Sequence, residues 1–394
     1  MKYWLPLLLI FSTKIYSEDK FQATQAKAVM GSVYESFVKI IPYVYADKAN
    51  YEALNVKKNQ DELISNLTEI SNLFKGAKHV EFFQKPGFKP SLDTINSHLE
   101  DTILSLQSHN FVFAQSRLKA VTALCVSCHS QLSDSMAKNA FGEAIGKEKR
   151  SRFESDYAFA NYLYLVRRFT EAVNYFEMSI NTHLEKSQTS SSSKVFDDNS
   201  SNQEIMGAIR RVLSIYTKIN LNPEKAISFL KKYQGKKNIS KFNKATIAVW
   251  LKSLESWKSY DSSKPVIIED YIAKYLEPIE NKKEKSMTEE GDITLLISSG
   301  VLTKYLSENP KTSLTPAILY WLSLAERRLS NTYFFSLSDL YLKDCITLYP
   351  KSDYAKKCFR EYEENLTFGY SGSSGTDIPE GEKRELEKLR KLIK

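Results

Sequence analysis

The sequence predicts an all-α protein in two parts, a four-helix bundle followed by an α-solenoid-like domain of helical hairpins. Apolar residues recur every three or four positions along most of the chain, as on one face of a helix. Glycine and proline are sparse, at 13 and 11 in 394 residues, too few for a loop-rich β-sandwich. No run alternates apolar and polar residues around a hairpin turn. The length suggests two or three folded units, and 42% hydrophobic residues with 12% aromatics exclude a disordered chain.

The chain opens with Met1 and Lys2. An almost wholly apolar run from Tyr3 to Phe11 follows, then small and polar residues up to Ser17, before Glu18-Asp19-Lys20. This is the pattern of a secretory signal peptide over residues 1–17, with Ile15 and Ser17 as a passable cleavage site. An uncleaved anchor is the alternative, although the apolar core is short for a bilayer. No later stretch approaches the roughly 18 apolar residues of a membrane helix, so the mature chain is expected to carry no membrane span. An exported chain can keep disulfides.

The bundle is assigned to residues 18–140. Its first helix carries Ala26, Val29, Val33, Phe37, Ile40 and Ile41 at helical spacing and bends or ends near Pro42. The second, about Lys58 to Phe74, carries Leu63, Leu67, Ile70 and Phe74. After a loop with Pro86, Gly87 and Pro90, the third starts near Ser91 as N-cap and aligns Leu92, Ile95, Leu99, Ile103 and Leu106. The fourth starts near Asn110 and aligns Phe113, Leu118, Val121 and Leu124.

Residues 141–370 form the second domain. Glu185 to Gln203, with four consecutive serines, reads as a loop or linker. Asn222-Pro223-Glu224 reads as N-cap, N1 and first turn, and Pro265, Pro310, Pro316 and Pro350 punctuate further helices. Residues 371–394 read as a flexible Ser/Gly linker and a short basic helix carrying Leu386, Leu389, Leu392 and Ile393, which either docks or frays. The net charge of +8 comes from 55 basic against 47 acidic residues, mixed along the chain. That mixing gives a solvated surface and no expectation of nucleic acid.

Cys125-Val126-Ser127-Cys128-His129 is a C-x-x-C-H sequence, the attachment signature of c-type haem. On a helix, residues i, i+3 and i+4 share a face, so two thiols can bond the haem vinyls while His129 reaches the iron. A redox C-x-x-C, a zinc site or a plain disulfide are the competing readings. The first wants a βαβ setting and the second another ligand pair, and the remaining cysteines, Cys345 and Cys358, form no second C-x-x-C. Those two flank Pro350 almost symmetrically and either bridge as a disulfide or stay as separate buried thiols. No P-loop, G-x-S-x-G or H-E-x-x-H occurs, and the carboxylates look scattered over helix surfaces, so no enzymatic constellation is expected.

The order of four helices, the proline-containing loop at Lys85 to Pro90 and the late C-x-x-C-H together resemble the cytochrome c-prime family over about Phe21 to Met136. The resemblance implies one covalent haem c, with His129 as proximal iron ligand. The sixth position is then either empty, or filled by Met30 of the first helix. His79, His98 and His109 are rivals, each in or near a polar stretch and read as surface residues. Leu132 and Ser133 depart from the aromatic and basic residues common in that family, which leaves the propionate contacts open. Arg117 is either a propionate partner or an exposed helix arginine.

Tyr162-Leu163 through Arg168 to Val173 and Tyr175-Phe176, then Pro223 to Ile227 with Phe229-Leu230, then Tyr349 to Ala355, resemble tetratricopeptide repeats. The repeats are degenerate: Glu326 falls where a small residue is usual and Leu184 where the closing proline belongs. The expected protein is therefore an exported, periplasmic mono-haem cytochrome performing one-electron transfer. Its partner would be an unidentified redox protein, with the helical repeats holding a protein partner. The alternative is a haem-based gas or redox sensor with an open sixth position. A peroxidase is weakly supported by a lone motif.

Overall fold

The computed structural model describes residues 24–40, 43–44, 56–80, 83, 89–111, 113–114, 117–118, 121, 148–165, 168–189, 195–280, 289–309, 311–329, 333, 337–372, 375–378 and 380–393. The expected signal sequence, residues 1–17, and the C-x-x-C-H motif lie outside them. The described residues are all-α apart from one minimal β pair, and the chain divides into two compact units, Met1–Thr122 and Ala123–Lys394.

In the first unit, α1 (residues 24–40) buries Ala26, Val33, Phe37 and Ile40, spaced by seven, four and three residues. Helix α2 (Lys57–Gly76) buries Leu63, Leu67, Ile70 and Phe74 and runs antiparallel to α1. Tyr43 lies near Glu62, and the Ser36 hydroxyl donates to Glu69 Oε2 at 2.8 Å, so residue numbers rise on one helix as they fall on the other. A single 3-10 turn, Ala77–His79, ends α2.

Helix α3 (Lys89–Gln107) packs on α2, with Leu92, Ile95, Leu99 and Leu106 buried and Ser71 Oγ donating to Asn96 Oδ1 across the interface. It begins two residues before the expected N-cap, so Ser91 is helical and Pro90 sits in the first turn, where a missing N–H breaks no intrahelical bond. The helix closes in a Schellman motif: His109 adopts φ +58°, its N–H meets Leu106 O, and Asn110 N–H meets Ser105 O. Asn110 then accepts from Phe113 N–H and starts the next helical residues, of which 111, 113, 114, 117, 118 and 121 are described, where the sequence placed them. Ala114, Leu118 and Val121 form the buried face of that stretch. Phe113, expected on the apolar face, is 41% exposed and lies under the Arg117 guanidinium, 4.7 Å from its ring centre.

The second unit is a succession of helices packing largely on their sequence neighbours. Helix α4 (Asp156–Leu165) pairs with α5 (Phe169–Thr189), and α5 packs on α6 (Val195–Ser214). Helix α7 (Pro223–Gln234) packs on α8 (Lys241–Glu255), and α9 (Ile268–Tyr275) packs on α10 (Asp292–Glu308). Then α10, α11 (Thr315–Leu329), α12 (Ser338–Leu348) and α13 (Asp353–Gly369) pack in series. Asn222, Ser240 and Ser352 are side-chain N-caps of α7, α8 and α13, with Pro223 at the first position of α7.

The expected loop from Glu185 to Gln203 is mostly helix, since α5 runs to Thr189 and α6 starts at Val195. The run Ser190 to Ser193 lies outside the described residues; on either side of it serine and asparagine disfavour helix by only a few tenths of a kcal/mol, and helices anchored by packing at Ile180 and Ile205 extend through them. Leu184, where a repeat-closing proline was expected, is buried within α5.

Helix α6 ends in a π turn, Ile215–Ile219, against which α10 packs at Gly300. A Cβ at Gly300 would stand 2.1 Å from the carbonyl oxygen of Lys218, so only glycine permits this approach. The expected flexible linker holds the β pair instead, Ser371 opposite Thr376 and Gly372 opposite Gly375. The final helix α14 (Glu380–Leu392) docks on α12 and α13 by burying Leu386 and Leu389, while Leu392 stays 45% exposed.

Candidate functional site

Cys125, Cys128 and His129 lie outside the described residues, and so do Leu132 and Ser133. The last described residue before them is Val121, buried in the first unit, and the motif itself falls within the span Ala123–Lys394 of the second. One turn earlier Arg117 grips α3, with Nη1 3.0 Å from His98 Nδ1 and Nη2 3.5 Å from Asp101. Arg117 is thus neither an exposed helix arginine nor disengaged, although its Nε is buried without a hydrogen-bond partner among the described residues.

On the first unit a cavity of about 770 Å³ opens between α1 and α2. Gln25, Ala28 and Val29 form one wall. The other follows α2 from Ser65 through Leu73 to Gly76, and the 3-10 turn adds Ala77, His79 and Val80. Small side chains at Ala28, Ser65, Gly76 and Ala77 keep the two helix surfaces from filling the space. The volume lies within the range of sites that enclose a cofactor-sized molecule.

Met30 occupies the core stripe of α1, four residues after Ala26 and three before Val33, yet it is only half-buried. It does not line the cavity, although its neighbour Val29 does. His79, exposed at the end of the 3-10 turn, does line it. His98, expected at the surface, is instead half-buried, and burial, reinforced by the Arg117 charge, lowers its pKa. His109 is exposed, with its ring edge-on to Phe111.

No family model, curated protein or solved structure matches this chain. Among the described residues no group of three His, Cys, Asp or Glu side chains could hold a metal ion, and no helix is long and apolar enough to cross a membrane.

The second unit holds chemistry that the sequence reading missed. Cys345 and Cys358 form a disulfide joining α12 to α13, with Cα atoms 6.4 Å apart, which settles the two alternatives left for them. Glu326 is fully buried and paired with the equally buried Lys218 of the π turn at 2.8 Å. Its carboxylate also accepts from Ser299 Oγ and from the backbone N–H of Leu337. The misfit of a glutamate at a small-residue position was the signal for this.

Asp292, first residue of α10, accepts from Tyr333 OH at 2.8 Å and Trp250 Nε1 at 3.3 Å. Burial pushes its pKa up to about 6, and the hydrogen bonds from Tyr333 and Trp250 oppose that rise only in part. Nothing in the local spacing distinguishes Asp292 from a first-turn acid on an exposed helix. The carboxylates are therefore not confined to helix surfaces: Glu326 and Asp344 are buried outright.

Proposed function

We propose that this protein is an exported mono-haem c-type cytochrome that transfers single electrons, residues 18–140 serving as a c-prime-like haem bundle and residues 141–370 as a repeat-like helical scaffold that docks a protein partner. The observation that carries the reading is Cys125-Val126-Ser127-Cys128-His129, whose spacing suits two thioethers and one axial ligand on a single helical turn.

Two features of the fold agree with it. The all-α first unit offers a cavity of about 770 Å³ with apolar wall residues Ala28, Val29, Leu73, Ala77 and Val80, which suits a flat, largely apolar macrocycle. The Cys345–Cys358 disulfide fits the oxidising compartment in which this attachment is made. Cys125 and Cys128 would hold the haem and His129 its iron, with Met30 the first-helix candidate for the sixth position. Bound there, haem supplies a one-electron redox centre. In the second unit, helices packing largely on their sequence neighbours would supply the surface that stacked helical hairpins use for partners.

The test is the visible spectrum of protein produced with haem-maturation machinery, recorded oxidised, reduced, and reduced under carbon monoxide. Covalent haem that survives acid–acetone extraction, with a sharp reduced α band indifferent to carbon monoxide, is the expected result. A broad spectrum that shifts with carbon monoxide would transfer the reading to a gas or redox sensor with an open sixth position. Absence of covalent haem would overturn both.

A further inference from the structure

We propose that the turn between α7 and α8 in the second unit docks on an anionic lipid bilayer, its lysines meeting the headgroups and Phe242 entering the interface beneath them. The chain's net charge of +8 is not spread evenly. From Pro223 to Glu255 stand eight lysines and no arginine or histidine, against only Glu224 and Glu255, so this one hairpin carries a balance of +6. Four of the eight fall between residues 236 and 244, and Phe242 stands among them 72% exposed. The inward face of α8 starts one residue later, with Asn243, Thr246, Ile247 and Trp250, which turns Phe242 outward.

The turn is pinned from beneath. Lys236 N–H donates to Tyr233 O, Ile239 is buried, and Asn238 Nδ2 donates to Leu184 O of α5 at 2.7 Å. Lys244 Nζ reaches Lys237 O at 3.5 Å and ties α8 to the turn. Most of the charge stays available to an outside partner. Lys232 pairs with Glu177 and Lys231 lies 3.6 Å from Glu255, but Lys225, Lys236, Lys237, Lys241 and Lys252 are exposed and have no ion pair among the described residues.

The residue types favour a bilayer over an acidic protein. Protein interfaces are depleted in lysine and enriched in arginine, whose planar fork pairs with carboxylates. Lysine's compact, strongly hydrated ammonium suits a headgroup layer, which attracts basic segments by its surface potential. An aromatic side chain projecting among those lysines adds the apolar half of an interfacial attachment. The contact is peripheral, because no helix among the described residues is long and apolar enough to cross a membrane. The proposal goes beyond the haem reading and stands without it.

The experiment floats the full chain with vesicles of phosphatidylcholine alone or of phosphatidylcholine mixed with phosphatidylglycerol, with far-UV circular dichroism confirming the fold of each variant. The expected result is binding to the phosphatidylglycerol vesicles only, released by high salt. Lys236→Gln, Lys237→Gln and Lys241→Gln together should weaken partitioning about a hundredfold, and Phe242→Ala about tenfold. The matched triple Lys383→Gln, Lys388→Gln and Lys391→Gln in α14 should bind as wild type. Phe242→Trp should show blue-shifted emission on the anionic vesicles. No binding to those vesicles at low salt would overturn the proposal, as would a turn triple that binds like wild type. Emission from Phe242→Trp that does not shift on bound vesicles would overturn the insertion. Retention on immobilised polyglutamate without vesicle binding would assign the patch to an acidic protein and overturn the bilayer.

Discussion

The buried polar side chains of the first unit, Ser36, Gln60, Asn66, Ser71, Asn96, Thr102 and Ser105, are all uncharged, and the unit leaves a cavity of about 770 Å³ between α1 and α2. In the second unit a fully buried lysine and glutamate face each other, Asp344 is buried as well, and a disulfide clamps two helices. A buried charge tolerates only the arrangement that pairs it, so Lys218 and Glu326 select one register among the helices they join. Among the described residues the second unit thus buries a charged pair and a disulfide, whereas the first joins its helices through partly exposed contacts such as Ser36–Glu69 and Arg117–Asp101 and leaves a groove between α1 and α2.

The contrast breaks most directly at the ion pair. Lys218→Met should destabilise the second unit by about 3–5 kcal/mol, because Glu326 would be left buried without its cation, and the paired change Lys218→Met with Glu326→Leu should recover most of the loss. Urea unfolding followed by tryptophan fluorescence reads this well, since Trp250, Trp257 and Trp321 are buried in that unit. A single variant as stable as wild type would show that the pair does not organise the interior.

Cys345→Ala with Cys358→Ala should cost about 3 kcal/mol, the order expected for a loop with a sequence separation of 13. The same denaturation series checks it, and an intact mass with and without reductant confirms the bond in wild type. A loss seen in the first unit's transition would mean the two units are not independent.

Asp292 sharpens the comparison through pH. Its folded pKa, pushed up to about 6, lies above the usual carboxylate value, so the native state binds the proton more tightly than the unfolded chain. Stability from this group is therefore full below about pH 4 and lost as pH rises through about 6, a change on the order of 3 kcal/mol. Asp292→Asn, which keeps an acceptor for Tyr333 and Trp250, should flatten that part of the profile measured between pH 4 and 7. An unchanged slope would assign it to other groups.

The smallest effect is expected at the caps. Asn222→Ala and Ser352→Ala should each cost about 1 kcal/mol, visible as a small fall in Tm.

Local signals carried much of this fold. The N-cap and proline at Asn222-Pro223, the turn at Pro350 and the apolar stripes of α2 and α3 depend on neighbouring residues, and the structure has them where the spacing put them. The second unit's interior depends on partners far apart in sequence. Lys218 and Glu326 are 108 residues apart, and Tyr333 meets Asp292 across 41. No local periodicity announces such pairs, although Glu326 gave itself away by fitting its repeat position badly. The flanks of the stretch read as a loop, Glu185 to Thr189 and Val195 to Gln203, depart for a different reason, because weak propensity yields to helices packed elsewhere, while Ser190 to Ser193 lie outside the described residues. The candidate site was half legible: the C-x-x-C-H is a local pattern, but the cavity and the place of His79 in it arise from two helices that the sequence alone cannot bring together.

Four cysteines allow three ways of pairing, and α12 and α13 select one by holding Cys345 against Cys358 with both side chains sealed from water. On the cytochrome reading that seal segregates the sulfur chemistry of the chain. An enzyme that joins haem to thiols would meet Cys125 and Cys128 as the sole reactive pair, and no wrong crosslink between the halves of the protein could compete for them.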